Sequence, residues 1–377
     1  VSFRPIRRTR VRSLLESFVG CSLRKEDGTG VLGDLKKSSS IAQVVHALNR
    51  LSLVVREMAE HGVRPDPLRT LIGRAYDAAI ASIGRLALEA IGEPPVPFAF
   101  ISAGSNSRHE MTMFSDQDNG LVFADVPAAD KDVVTRYFLK LGDQVCSGLN
   151  EVGYPYCPGG IMAVNPKWCH PLSEWKVSLA GWIGEATPEA ILEVNVFADI
   201  RCSFGDPTLV EKLNRHLHAV AEQTPTFFLH FARNSLLYKV PVDFLGKSKA
   251  KKTGLGLIDI KECIKPLEIF ARIYALKHKI SEPSTVGRLR QLEASGVLSS
   301  ALLDETIYVF DYLWRMRFYN QLFSHADLRQ VNDTIDVSLL TDVERENLRN
   351  VLARISALQE KLCKDFLGMP RHMVSLE

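Results

Sequence analysis

The stretch from Pro97 to Ala124 constrains the fold more than any other part of the chain. Pro97-Phe-Ala-Phe-Ile-Ser102 is a short apolar run between a proline and a glycine turn, and it reads as a strand. It runs into Ala103-Gly-Ser-Asn-Ser107; residues 105–113 are expected to form a short helix, and Asp118 to Ala124 (DNGLVFA) a second strand. A glycine at a strand-to-helix turn lets backbone approach a phosphate, and a helix start offers it unpaired N–H groups and a positive dipole end. Gly104 and Ser105 are therefore candidate phosphate ligands, Ser105 adding a hydroxyl. Asp116 and Asp118, at i and i+2, project to one side of an extended segment. Two such carboxylates can grip one or two divalent cations. Hard oxygen ligands completed by triphosphate oxygens suit Mg²⁺ (or Mn²⁺).

The flanking sequence supplies the rest of a mixed fold. Ile41 to Ile91 is helical in period, with Ile41, Val44, Val45, Leu48, Leu51 and Val55 on one stripe and Ile72, Ala75, Ala79, Ile83 and Leu86 on another. Residues 130–149 return to that period through Val134, Phe138, Leu141 and Val145. A Gly/Pro-rich loop follows at Gly153–Gly160, then Trp168, Trp175 and Trp182 in seven-residue steps, which reads as a core stripe. Ile191 to Ile200 (ILEVNVFADI) alternates and reads as a third strand. A carboxylate ending that strand, Asp199, is placed to be a third metal acid or a general base, with Arg201 nearby. The order strand, helix, strand, helix, strand is an α/β arrangement. After Gly205-Asp-Pro207 the chain is helical to its end. Its last long helix opens with the capping box Thr341-x-x-Glu344 and carries Leu348, Leu352, Ile355, Leu358 and Leu362 on one face. The expected organisation is a basic arm and linker (1–40), an N-terminal helical segment (41–92), a catalytic domain (93–210) and an all-α C-terminal domain (211–377).

Composition excludes several classes. The 377 residues suffice for two or three domains, 46% are hydrophobic and 24% charged, and a formal net charge of +2 gives no signature of a nucleic-acid partner. No apolar run approaches the ~18 residues of a membrane span. Seven dispersed cysteines without a C-x-x-C point to reduced thiols and a cytoplasmic setting. Cys157, Cys169 and His170 match no common zinc spacing and read as buried thiols and a histidine without a sequence partner. His216, His218 and His230 likewise lack partners, and G-x-S-x-G is absent, so neither a catalytic histidine nor a serine nucleophile is supported. The basic run Lys247–Lys252 reads as a solvated loop.

FISAGSNSRHEMTMFSDQDNGLVFAD resembles the signature of the DNA polymerase β-type nucleotidyltransferases, and more narrowly the N-terminal catalytic region of protein-PII uridylyltransferases. The wider likeness is to a bacterial nucleotidyltransferase family with a C-terminal substrate-binding domain. It extends over residues 41–365 through GYPYCPGGIMAVNPKW (153–168), VFADIRCSFGD (196–206) and LIDIKECIKPLEIFARIYAL (257–276). The resemblance implies a polymerase β-like fold. Gly104 and Ser105 would hold nucleotide phosphates, and Asp116, Asp118 and Asp199 would bind Mg²⁺. Arg108 and Glu110 match the R-x-E that follows the Gly-Ser turn and would orient it, Arg108 also being a candidate phosphate ligand, and Lys261 would meet phosphates or substrate. The implied reaction moves an NMP from an NTP to an acceptor, which the likeness suggests is a protein such as a PII-like regulator, and releases pyrophosphate. Two departures stand out: Ser107 and His109 occupy positions where the family commonly has glycine. They motivate an alternative, a nucleotide-binding sensor with a weak or inactive site. The CBS and cyclic-nucleotide-binding domains common in front of this family are not expected within the first 40 residues.

Overall fold

The computed structural model describes residues 28–185, 187–241, 256–326 and 330–374. Three helices come first: α1 (Gly28–Lys37), α2 (Ile41–Glu60) and α3 (Pro65–Ile91). Ser40 caps α2 by accepting from the Gln43 N–H, and Pro65 opens α3, where a missing N–H does no harm. Residues 28–37 were expected as linker. They are helical because Val31 and Leu35, four apart, bury against the neighbouring helices, and that packing outweighs the low helix propensity of the glycines. The arginines before Gly28 and the Lys247–Lys252 run lie outside the described residues.

A four-stranded sheet follows in the order β3-β2-β1-β4, from β1 (Phe98–Ser102), β2 (Asn119–Phe123), β3 (Cys169–Pro171) and β4 (Arg201–Gly205). The β1 strand is antiparallel to β2 and β4; only β3 pairs in parallel, with β2. The molecule is thus a mixed α+β fold. The β1 strand reads as a continuous apolar run because it is covered on both faces. Phe98 and Phe100 face the helices α2, α3 and α5 (Lys131–Glu151), whereas Ala99 and Ile101 join a second core with the C-terminal helices.

Two sequence expectations change here. The turn helix α4 is only Gly104–Ser107, so the path to β2 is mostly irregular. Residues 191–200 are not a strand: α6 (Leu172–Glu185) is followed by α7 (Pro188–Phe197), and the third strand beside β1 is β4. The cause is visible in the sequence. Thr187 caps α7 by accepting from the Ala190 N–H, Pro188 sits at its first position, and Ala190, Ile191, Val194 and Phe197 form its buried stripe. The apparent alternation came from Leu192, which is 53% exposed, and from Val196 at the edge of the core.

The C-terminal helices are α8 (Pro207–Gln223), α9 (Pro225–Ser235), α10 (Ile260–Lys277), α11 (Thr285–Ala294), α12 (Ser300–Ala326) and α13 (Asp342–Leu362), with a two-stranded ribbon of β5 (Leu257–Asp259) and β6 (Thr334–Asp336). They share one core with the sheet. Helix α12 is apolar on more than one side because it bridges both cores: Val309, Phe310 and Leu313 enter one, and Trp314, Phe318 and Leu322 the other. The capping box at Thr341 and Glu344 is formed, with the leucine–isoleucine stripe of α13 buried behind it. No helix of the described residues is long and apolar enough to cross a membrane.

The tryptophan stripe is core. Trp168, Trp175 and Trp182 surround Phe197, with ring centroids 4.5, 5.1 and 5.7 Å from it. The indole N–H groups of Trp168 and Trp175 donate to the Gly160 and Leu121 carbonyls. Phe197→Ala is expected to lower unfolding free energy by about 3–5 kcal/mol and to shift tryptophan emission, measured by urea titration followed by fluorescence.

Candidate functional site

The site forms where β1 ends and β2 begins. The Ala103 N–H donates to the Asp118 carbonyl at 3.0 Å, which ties the turn to the D-x-D segment. Gly104 has φ +55°, a conformation that a side chain would strain, and a Cβ there would stand 3.4 Å from Asp118 Oδ2. Alternation along the extended segment sorts the residues. Gln117 and Asn119 point inward and are fully buried; Asp116 and Asp118 are half-buried on the other side. The Gln117 amide donates to the Cys146 and Tyr154 carbonyls, and the Asn119 amide donates to Gln117 Oε1 while accepting from the Ala163 N–H. The buried amides are satisfied, and they fix the direction of the aspartates.

The loop Tyr154–Ile161 is bound to the same segment. The Gln117 N–H donates to the Pro155 carbonyl and the Asn119 N–H to the Ile161 carbonyl, both at 3.0 Å. Cys157 lies between these two ties and so faces Asp118. Asp116, Asp118 and Cys157 each offer a ligand atom within 4.8 Å of the others, and this group could hold a metal ion. Burial and the neighbouring Asp116 charge push the Asp118 carboxyl up to about 6, although a Cys157 hydrogen bond, Lys261 and Arg108 act the other way. Two carboxylates pressed together in this way fit a divalent cation, which would relieve their repulsion. Burial and Asp118 together push the Cys157 thiol up to about 11.

Lys261 comes from the C-terminal half. It is exposed at the second position of α10, whose N-cap Asp259 accepts from the Glu262 N–H, and its charge acts on Asp118. Seven and eleven residues further along the same helix stand Glu268 and Arg272, which one helical face brings to the underside of the turn.

Arg108 occupies that underside. Its Nε donates to Glu110 at 2.6 Å, Nη1 to Asp199 at 2.8 Å, and Nη2 pairs with Glu268 at 2.7 Å. With each nitrogen on a carboxylate, Arg108 braces the turn from beneath and has no N–H directed at the expected phosphate position. Glu110 accepts from the Thr285 N–H at 2.6 Å at the start of α11, and its carbonyl accepts from the Trp314 indole. Arg201 makes a bidentate pair with Asp77 of α3, both bonds 2.7 Å, and donates to the Ser107 and Asn106 carbonyls. It supports the turn from the N-terminal side. His109 has φ +54°, and its ring lies over Gly73, where a Cβ would come within 2.5 Å of it; Nε2 bonds Asp77 at 2.8 Å. Its bulk therefore points away from the Gly104–Ser105 turn.

Asp199 does not join the two aspartates. It is fully buried, takes hydrogen bonds from Arg108 and Arg272, and pairs with Arg288 at 2.6 Å. Burial raises its pKa, but Arg272, Arg288 and Arg108 outweigh that and hold the carboxyl far below the usual range. With both oxygens taken by arginines, Asp199 is a charge-pairing residue in this structure and stands apart from the group formed by Asp116, Asp118 and Cys157.

The sequence reading missed Cys157, Asp77, Glu268, Arg272 and Arg288. Cys157 carried a signal, a cysteine inside a Pro/Gly loop. The other four are ordinary charged residues on helices distant from the site in sequence, and pattern alone does not select them.

Comparison with known proteins agrees with this geometry. Residues 49–189 match the family described as "Putative nucleotidyltransferase DUF294", and residues 225–366 match the "Putative nucleotidyltransferase substrate binding domain". Among curated proteins none matches the chain. The chain belongs to this nucleotidyltransferase family.

Asp199→Asn keeps the side-chain volume, takes from the buried Arg272 and Arg288 guanidinium groups the carboxylate they pair with, and leaves Arg108 with Glu110 and Glu268 only. It is expected to destabilise the fold by about 3–5 kcal/mol, measured as the urea midpoint. Because the folded-state pKa is depressed, the stabilisation from Asp199 is fully present above the unfolded value of about 4 and is lost as pH falls through the folded value. The gap between wild type and variant should therefore be constant near neutrality and narrow only in acid.

Proposed function

We propose that this member of the nucleotidyltransferase family transfers an NMP from an NTP to an acceptor, with Mg²⁺ (or Mn²⁺) held by Asp116 and Asp118 and pyrophosphate released. The observation that carries this reading is the pair of half-buried aspartates on one side of a strand start, facing the Gly104 turn, with Lys261 opposite. A divalent cation at this place supplies charge neutralisation on the triphosphate. The chain's own residues position and bind. Gly104 leaves room for phosphate oxygens, the Ser105 hydroxyl donates to them, and Lys261 adds a positive charge from the C-terminal half. Such a reaction asks for alignment and electrostatic support more than covalent chemistry.

In this reading residues 93–210 form the catalytic unit, 41–92 its helical support and 211–377 the unit that meets the acceptor. We take the acceptor to be a protein, a PII-like regulator being the model suggested by the sequence likeness. The sensor alternative rested on the bulk of His109 and on Ser107. With the His109 ring seated over Gly73, that bulk leaves the turn open, so turnover is the favoured reading.

Asp116→Asn and Asp118→Asn are each expected to reduce Mg²⁺-dependent pyrophosphate release by at least about 100-fold, with far-UV circular dichroism and melting unchanged. Full activity in both variants would remove the proposal. Lys261→Ala is expected to raise the apparent KM for NTP by about tenfold, the loss of one charge-assisted contact, as read from initial rates of pyrophosphate release.

A further inference from the structure

We infer that Cys157 is a third ligand of the cation held by Asp116 and Asp118, which makes this a mixed carboxylate–thiolate site able to take a thiophilic divalent ion of the zinc and cadmium class. The inference rests on the proposed cation site and adds to it a sulfur ligand and a metal preference.

Three observations support it. The ligand atoms of Asp116, Asp118 and Cys157 all lie within 4.8 Å of one another. A tetrahedral cation with bonds of about 2.0–2.3 Å sets its ligand atoms about 3.3–3.8 Å apart, so the three side chains need to close by no more than about 1.5 Å to complete the set. The sulfur is held there by the fold: Pro155 and Ile161, on either side of it in sequence, are bonded to Gln117 and Asn119, on either side of Asp118. The loop is also shaped around the sulfur. The backbone N–H groups of Gly159 and Ile161 reach it. Gly160, at φ +66°, turns the chain away, and its carbonyl is fixed by the Asn165 amide and the Trp168 indole.

A thiol serving only the core has no need of two carboxylates. Cys169, buried in β3, shows that case: it has no carboxylate cluster about it among the described residues. The zinc grouping weighed from the sequence, Cys157 with Cys169 and His170, does not form. His170 pairs with Glu174. On binding, the Cys157 S–H bond breaks, its proton passes to solvent, and the sulfur lone pair is shared with the metal. Soft sulfur raises affinity for Zn²⁺ and Cd²⁺ far more than for Mg²⁺ or Mn²⁺. Zinc would then compete with the hard ion that the proposed reaction uses.

The test is a Cd²⁺ titration of the full chain, followed by sulfur-to-cadmium charge-transfer absorption in the ultraviolet, beside a Mn²⁺ titration followed by electron paramagnetic resonance. Wild type should show the cadmium band, and Mn²⁺ should displace it. Cys157→Ser should lose the band and bind Cd²⁺ at least about tenfold more weakly, while its Mn²⁺ affinity stays within about twofold. Asp116→Asn should lose the band as well, because sulfur and carboxylates bind together; this separates Cys157 from the other thiols. A band missing from wild type, or surviving Cys157→Ser, overturns the sulfur ligand even when Mn²⁺ binds through the aspartates. A band that behaves as expected in a protein that binds no Mn²⁺ upholds the mixed site and counts against the proposed Mg²⁺ chemistry instead.

Discussion

The pairing of Asp199 with Arg108, Arg272 and Arg288 is the contact on which the rest of this molecule depends. Arg108 belongs to the turn after β1, Asp199 to the end of α7, and Arg272 and Arg288 to the C-terminal helices α10 and α11. Glu110 and Glu268 complete the cluster, so three arginines face three acids and the buried charge cancels. Such a cluster contributes little net stability, since desolvation offsets most of the attraction. Its effect is on geometry. Each charge has its partners only when the turn, α7, α10 and α11 are in register, and a shift of any one would leave a buried ion uncompensated.

The two sides of the turn differ in how their carboxylates are paired. Beneath it every carboxylate has an arginine or a backbone donor, and the Asp199 pKa is driven down, although burial raises that of Glu110. Above it Asp116 and Asp118 are set beside each other, and Asp118 is driven up to about 6. The fold satisfies the buried amides of Gln117 and Asn119 yet leaves two neighbouring aspartates repelling, which is the arrangement the proposed cation would relieve. The C-terminal helices take part on both sides. They brace the turn through Glu268 and Arg272, and they bring Lys261 to its open face.

How much of this the sequence disclosed depended on distance along the chain. The strands β1 and β2, the Gly104 turn and the common direction of Asp116 and Asp118 were legible because each is set by a few adjacent residues: an apolar run, one glycine, a two-residue repeat. The α13 capping box and the tryptophan stripe were local in the same way. Residues 191–200 misled because β-branched residues alternated there, while the stronger signal, Thr187-Pro188 at a helix start, stood just outside the window. Asp199 was misplaced with that strand. The arginine cluster and the seat of Cys157 were not legible, since Arg272, Arg288 and Cys157 meet their partners only through tertiary packing across tens of residues. His109 was legible as a departure but not in its outcome, because Gly73, which receives its ring, lies on a separate helix.

The most direct test of this account is crystallographic. Crystals of the full chain grown with Mn²⁺ and a non-hydrolysable NTP would locate the cation by its anomalous scattering. The account predicts a peak within about 2.1–2.3 Å of carboxylate oxygens from both Asp116 and Asp118, with the phosphates running from Gly104–Ser105 toward Lys261 and Asp199 still enclosed by its arginines. A cation bound elsewhere, or a nucleotide that leaves both aspartates untouched, would contradict it.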